Sequence, residues 1–164
     1  MSAKKMVKTP LEACRDKACR LLETRQHSVA ELRRKLQRTQ PPEAIEAAIA
    51  ELLAMGLLND SSFARAYAEW RFQGMGASRI RQELRRRGVA DEVVADTLAE
   101  FRELHADTGA ELERMRELAA RKWRGIRDRS DLRKAQAKVA RFLAARGFPS
   151  DAIWKVIGEL KQKQ

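Results

Sequence analysis

Hydrophobic positions along this chain recur at helical spacing in three stretches, 28–52, 76–101 and, more loosely, 131–160. Each stretch is a basic amphipathic segment, a short break, and an apolar-periodic segment that closes on Glu followed by a large hydrophobe. The pairs Leu32 and Leu36, Ile80 and Leu84, and Val139 and Leu143 are spaced i, i+4, which puts both side chains on one helix face. The following segments carry Ile45, Ile49 and Leu52, then Val94, Leu98 and Phe101, then Ile153, Ile157 and Leu160, with matching internal offsets. From the second copy to the third the separation is constant, while between the first and second a single residue is gained in the break. A length change of that kind belongs in a loop, and a repeated pattern means modular construction.

Helix punctuation agrees with the pattern. Gly88 and Gly147 follow the basic segments as C-cap residues able to adopt positive φ, and Pro41-Pro42 closes the first copy. Ser28 with Glu31 spells a capping box, Asn59-Asp60-Ser61 precedes Phe63, and Asp91 precedes Val93 and Val94. A leading helix is expected in each unit, over 11–25, 62–72 and 112–123, though no single register superimposes the three. No segment alternates apolar and polar residues long enough to predict a strand. The fold class expected is therefore all-α: nine helices in three tandem three-helix repeats at 11–58, 59–106 and 107–164, behind a basic N-terminal tail at 1–10. A unit of about fifty residues buries little surface and must lean on its neighbours, so an elongated, curved body with long grooves is expected.

Charge narrows the partners. The formal net charge is +11 in 164 residues and the pI is near 10.3, which points to a polyanion or an acidic protein surface. Basic residues crowd the N-terminal part through Arg38, the run Arg85-Arg86-Arg87, and the span from Arg114 to Arg141, while the span from Asp91 to Glu113 is mostly acidic. No apolar run approaches the roughly twenty residues that span a bilayer, and the basic N-terminus has no apolar segment behind it, so a cytoplasmic protein without a membrane role is expected. Cys14 and Cys19 lie about 140° apart around a helix, which predicts small buried hydrophobes rather than a bridge or a metal site.

A catalytic constellation is missing from the pattern. His27 and His105 stand beside no Cys, Ser or acid in a spacing that builds a nucleophile with its base, and Gly74, Gly76 and Gly88 form no phosphate loop. Asp91-Glu92 and the pair Asp128 and Asp131 have helix-start and turn explanations. Neither an enzyme nor a bound cofactor or metal is expected. On the first basic helix the core direction set by Val29, Leu32 and Leu36 places Arg34 and Arg38 almost opposite and Arg33 and Lys35 on the flanks. In the second copy Arg81 and Arg85 share a side, Arg86 points away from the core, and Arg87 can reach its own helix C-terminus. The third cluster is Arg121-Lys122-Trp123-Arg124 with Arg127 and Arg129. Trp123 can be core or a stacking platform for an unpaired base, whereas Trp70, with Phe63 and Tyr67, and Trp154, with Ile153 and Ile157, are expected in the interior.

Several motifs in order then resemble one family. Glu31-Leu32-Arg33-Arg34-Lys35-Leu36, Gly56-Leu57-Leu58-Asn59-Asp60 with Phe63-Ala64, Gly76 with Arg79-Ile80 and Glu83-Leu84 before Gly88, Ala120-Arg121-Lys122-Trp123, and Arg141-Phe142-Leu143 with Arg146-Gly147-Phe148 resemble the bacterial RecX regulatory proteins. The resemblance runs from Leu11 onward; Leu57 stands where the family usually has an aromatic and Asn59 where it often has Asp. It implies tandem three-helix repeats that lie in the groove of the RecA filament on single-stranded DNA. It also implies inhibition of ATP hydrolysis, strand exchange and RecA-stimulated LexA cleavage, with no catalytic residues to carry over. The expected partners are the RecA filament and DNA, single-stranded or also double-stranded, bound weakly and without sequence specificity by a monomer. The candidates for acidic RecA surface or DNA phosphate are Arg33, Arg34, Lys35, Arg38, Arg81, Arg85, Arg86, Arg121, Lys122, Arg124 and Arg127. The alternative is a helical DNA-binding transcriptional regulator, which the basic helices disfavour because they lack a cluster of Asn, Gln or Ser at base-reading positions.

Overall fold

The structure is a computed structural model and describes residues 8–105, 109–126 and 131–162. Among the described residues there are nine helices and no strand: α1 (Pro10–Thr24), α2 (Val29–Leu36), α3 (Pro42–Ala54), α4 (Asp60–Phe72), α5 (Ala77–Arg86), α6 (Asp91–His105), α7 (Ala110–Arg124), α8 (Leu132–Ala145) and α9 (Ser150–Gln162). The first starts one residue earlier than its apolar pattern indicates. Thr9 and Glu12 form a full capping box around Pro10, each side chain bonding the other's backbone N–H. Asn59 caps α4 by accepting from the Ser62 N–H at 3.0 Å, as its position predicts.

Three hydrophobic cores account for the architecture. Cys14, Ala18, Leu32, Leu36, Ile45, Ile49 and Leu52 close the first repeat, with Cys19 partly buried against them and both thiols free. Phe63, Tyr67, Ile80, Leu84, Val94 and Leu98 close the second; Met115, Trp123, Val139, Leu143, Ile153 and Ile157 close the third. Each i, i+4 pair expected from the sequence is at most 1% exposed. Every broadly packed helix pair lies within one repeat, so the units meet edge to edge rather than sharing a core.

Two tryptophans depart from expectation. Trp70 is 65% exposed and Trp154 61% exposed. In α4 the buried stripe runs through Ala64 and Ala68 toward Phe72, whose ring meets Phe101 edge-on at 5.1 Å, leaving Trp70 outside. Trp154 follows the buried Ile153 by one residue, about 100° round the helix, and so faces away from the core. Trp123, at 7% exposure, belongs to the interior.

The two junctions are built alike. Between the first and second repeats, the Ser28 hydroxyl at the N-cap of α2 donates to the Arg87 carbonyl at 2.6 Å, and the Val29 N–H donates to Asp60 at 2.8 Å. Gly88, at φ +80, presses so closely on Ala30 that a Cβ there would overlap the alanine methyl. Between the second and third repeats, the N–H of Gly76 at the N-cap of α5 donates to the Arg146 carbonyl at 2.8 Å, and Gly147, at φ +81, presses on the backbone of Arg79. In both, the start of one repeat's middle helix seats on the glycine that ends the next repeat's middle helix. These glycines thus have two duties, a left-handed C-cap and a close backbone approach.

Candidate binding surface at the repeat junctions

Both junctions gather charge. Glu31 caps nothing reciprocally: its backbone N–H is held by the Ser28 hydroxyl at 3.1 Å, but its carboxylate turns to Arg25 at 3.1 Å and to Arg87 of the next repeat. Arg87 therefore does not reach back to its own helix end as its position suggests; its guanidinium also lies over the Tyr67 ring at 4.7 Å. Burial works to raise the Glu31 pKa, and the bonds and charges of Arg25 and Arg87 outweigh it, holding the carboxyl below the ordinary value. His27, 2% exposed, bonds the Arg25 carbonyl through Nδ1 at 2.9 Å while Nε2 has no partner; burial pushes its pKa down.

Both groups bind fewer protons folded than unfolded, so stability falls with pH: first as pH drops below about 6.5, where unfolded His27 titrates, and again below about 4.5 for Glu31. The melting temperature should accordingly decline between pH 7 and pH 5. His27→Leu should flatten that decline, and an unchanged slope in the variant would remove His27 as its source.

The expected contact residues are distributed unevenly. Arg34 is exposed and touches only the Ala30 carbonyl at 3.2 Å, and Lys35 and Arg38 are exposed beside it. Arg33 instead makes a two-point ion pair with Glu46 at 2.7 and 2.8 Å, and Arg85 pairs with Asp91 at 2.6 Å. Arg121 and Arg124 are exposed near the end of α7, and Lys122 lies 5.4 Å from the Phe142 ring. Arg127, Asp128 and Arg129 lie outside the described residues, as does the side chain of His105.

Three grooves connect along one track. One is lined by Arg25, Phe63, Tyr67, Trp70 and Arg87. A second, of about 810 Å³ between the second and third repeats, is lined by Trp70, Arg71, Arg79, Arg114, Arg121 and Arg146, with Glu117 its one acid. A third holds Arg79, Arg81, Arg85 and Arg86 against Ala145 and Gly147. Trp70 is common to the first two, and Arg79 and Ala145 to the last two. Arg114 and Arg146 lie on aromatic rings, Phe72 at 3.3 Å and Phe142 at 3.7 Å, and burial lowers the pKa of each. The sequence reading did not single out Arg71, Arg114 and Arg146 as contact residues, because they lie far apart in the chain and become one cluster only when two repeats meet. Only Arg71, between Trp70 and Phe72, stood directly beside aromatics in the chain.

An apolar cleft of about 300 Å³ also lies between these repeats, lined by Phe72, Ile80, Phe101, Leu112 and Met115. Among the described residues no group of three or more His, Cys, Asp or Glu is placed to hold a metal ion, and no helix is long and apolar enough to cross a membrane.

Comparison with known proteins places this architecture. Family models for the first, second and third three-helix domains of RecX match residues 14–52, 59–98 and 110–157. The regulatory protein RecX of Pseudomonas savastanoi pv. phaseolicola is 39% identical over 151 residues, covering 91% of this chain and 92% of the relative. That of Deinococcus radiodurans is 34% identical over 146 residues, covering 88% of this chain and 67% of the relative. The crystal structure of RecX from Lactobacillus salivarius superposes with a TM-score of 0.76 at 23% identity, covering 93% of this chain and 97% of that one, a likeness of fold. With all three domains matched in order and relatives aligned over most of its length, the chain belongs to the RecX family of regulatory proteins.

Proposed function

We propose that this protein binds the RecA filament on single-stranded DNA and inhibits ATP hydrolysis, strand exchange and LexA cleavage by RecA, acting by binding and not by catalysis. The observation that carries the reading is the ordered match of three RecX domains along one chain. The geometry supports it. Basic groups without an ion-pair partner among the described residues recur on successive repeats, at Arg34, Lys35 and Arg38, then Arg81 and Arg86, then Arg121. A body of this kind can meet several subunits of a helical polymer together, and linked contacts raise affinity beyond that of any one of them.

The direct test is RecA ATP hydrolysis on single-stranded DNA with this protein present well below one copy per recombinase. Inhibition at that ratio is expected, and its absence at equimolar protein would end the reading. Reversing Arg34→Glu and Arg38→Glu together should raise the half-inhibitory concentration by about ten-fold, from roughly 0.7 kcal/mol for each exposed charge. Circular dichroism should stay helical, since neither side chain enters the core. Full inhibition by the folded double variant would take α2 out of the interface.

A further inference from the structure

We infer that the track across the junction of the second and third repeats is itself a binding site for single-stranded nucleic acid, with Trp70 as the platform for an unstacked base and the flanking arginines as phosphate contacts. It deepens the filament reading by assigning this surface to the strand rather than to the recombinase.

Three observations converge on a linear polyanion. The grooves are contiguous through shared residues, so the positive surface is a path and not a pocket for one ion. Arg71, Arg81, Arg86, Arg114, Arg121 and Arg146 line it, and among the described residues none of them lies within ion-pairing distance of a carboxylate. Four other arginines of the track are paired, Arg25 and Arg87 with Glu31, Arg79 with Glu83 and Arg85 with Asp91, so the unpaired six are the ones left to meet an outside anion. Arg114 is the extreme case: its Nε and Nη2 are buried against the Phe72 ring without any hydrogen-bond partner among the described residues, so its charge is left uncompensated at the groove wall.

Trp70 supplies what a purely electrostatic surface lacks. It is 65% exposed where two grooves meet, and it is held in place from within: the Arg71 guanidinium lies 4.0 Å from the indole and the Tyr67 ring packs edge-on at 6.0 Å. A large apolar ring kept rigid in water beside arginines is suited to a base whose own faces are uncovered. Bases in a duplex are already stacked and offer no such face, so the site should prefer a single strand.

The test uses the full chain and a fluorescein-labelled oligothymidylate without RecA, read by anisotropy at low and moderate salt. Trp70→Ala should weaken binding at least five-fold, the lower end of what base stacking contributes, while Trp154→Ala, equally exposed but off the track, should leave it unchanged. Arg121→Ala should reduce the log-log salt slope by about 0.7. A duplex of the same length should bind at least ten-fold more weakly. Binding by folded Trp70→Ala equal to the unsubstituted chain, or duplex binding equal to single-strand binding, overturns the inference. Loss of RecA inhibition with Trp70-dependent DNA binding intact would sink only the filament reading; intact inhibition with Trp70-independent DNA binding would sink only this one.

Discussion

Replacing Gly147 with alanine should destabilise the protein clearly more than replacing Gly56 with alanine, although both glycines end in the same left-handed conformation. At Gly56 φ is +69 and an added Cβ meets nothing within 4 Å, so the cost is the intrinsic one for an L-residue in that region, about 1–2 kcal/mol. At Gly147 φ is +81, and the added Cβ would in addition stand 2.9 Å from the Arg79 Cα and closer still to its backbone nitrogen. Backbone cannot rotate aside as a side chain can, so the second repeat must move off the third. Overpacking of this kind adds roughly 1–3 kcal/mol. Urea unfolding of both variants gives the comparison directly, and the excess at Gly147 measures the joint itself. Equal losses would mean that the two repeats do not depend on this contact.

Leu84→Ala should cost about 2–5 kcal/mol, the range for emptying a fully buried leucine site. Leu84 is 0% exposed in the middle core with Phe63, Tyr67, Ile80 and Leu98, and among the described residues that core is built from the second repeat alone. Because the three cores are separate, the loss should fall on the second repeat and through it on both junctions, so thermal unfolding should broaden as well as shift. Leu104→Ala is the matched control: 73% exposed, it should change the midpoint by under about 0.5 kcal/mol. A Leu84→Ala variant as stable as that control would show that the middle core is not as packed as described.

What could be read from the chain was whatever depends on neighbours a few residues away. Leu32 and Leu36, Ile80 and Leu84, and Val139 and Leu143 declare themselves because a helix face is a local geometric fact, and Gly88 and Gly147 because a cap is too. What could not be read was the choice made between repeats. Glu31 has the spacing of a capping partner, yet it answers Arg25 and Arg87 instead, because an arginine from another repeat arrives beside it. Arg33 and Arg81 hold equivalent positions in their repeats and Arg85 shares a helix side with Arg81, and only the packed structure shows Glu46 taking up Arg33 and Asp91 taking up Arg85. Trp70 matched the spacing of Phe63 and Tyr67, but the interior stripe of α4 drifts toward Phe72, and a drift of that size is invisible until the partner helix is in place.

The twice-used joint is a head-to-tail contact with unlike halves, and such contacts, repeated between molecules, grow fibres without end. Here neither outer repeat offers its half. The position in α8 equivalent to Ser28 and Gly76 is Ala135, already inside a helix that begins a turn earlier, at Leu132, and the position in the first repeat equivalent to Gly88 and Gly147 is Gln40, followed by proline. Copies of this chain therefore cannot polymerise through the contact that holds each one together.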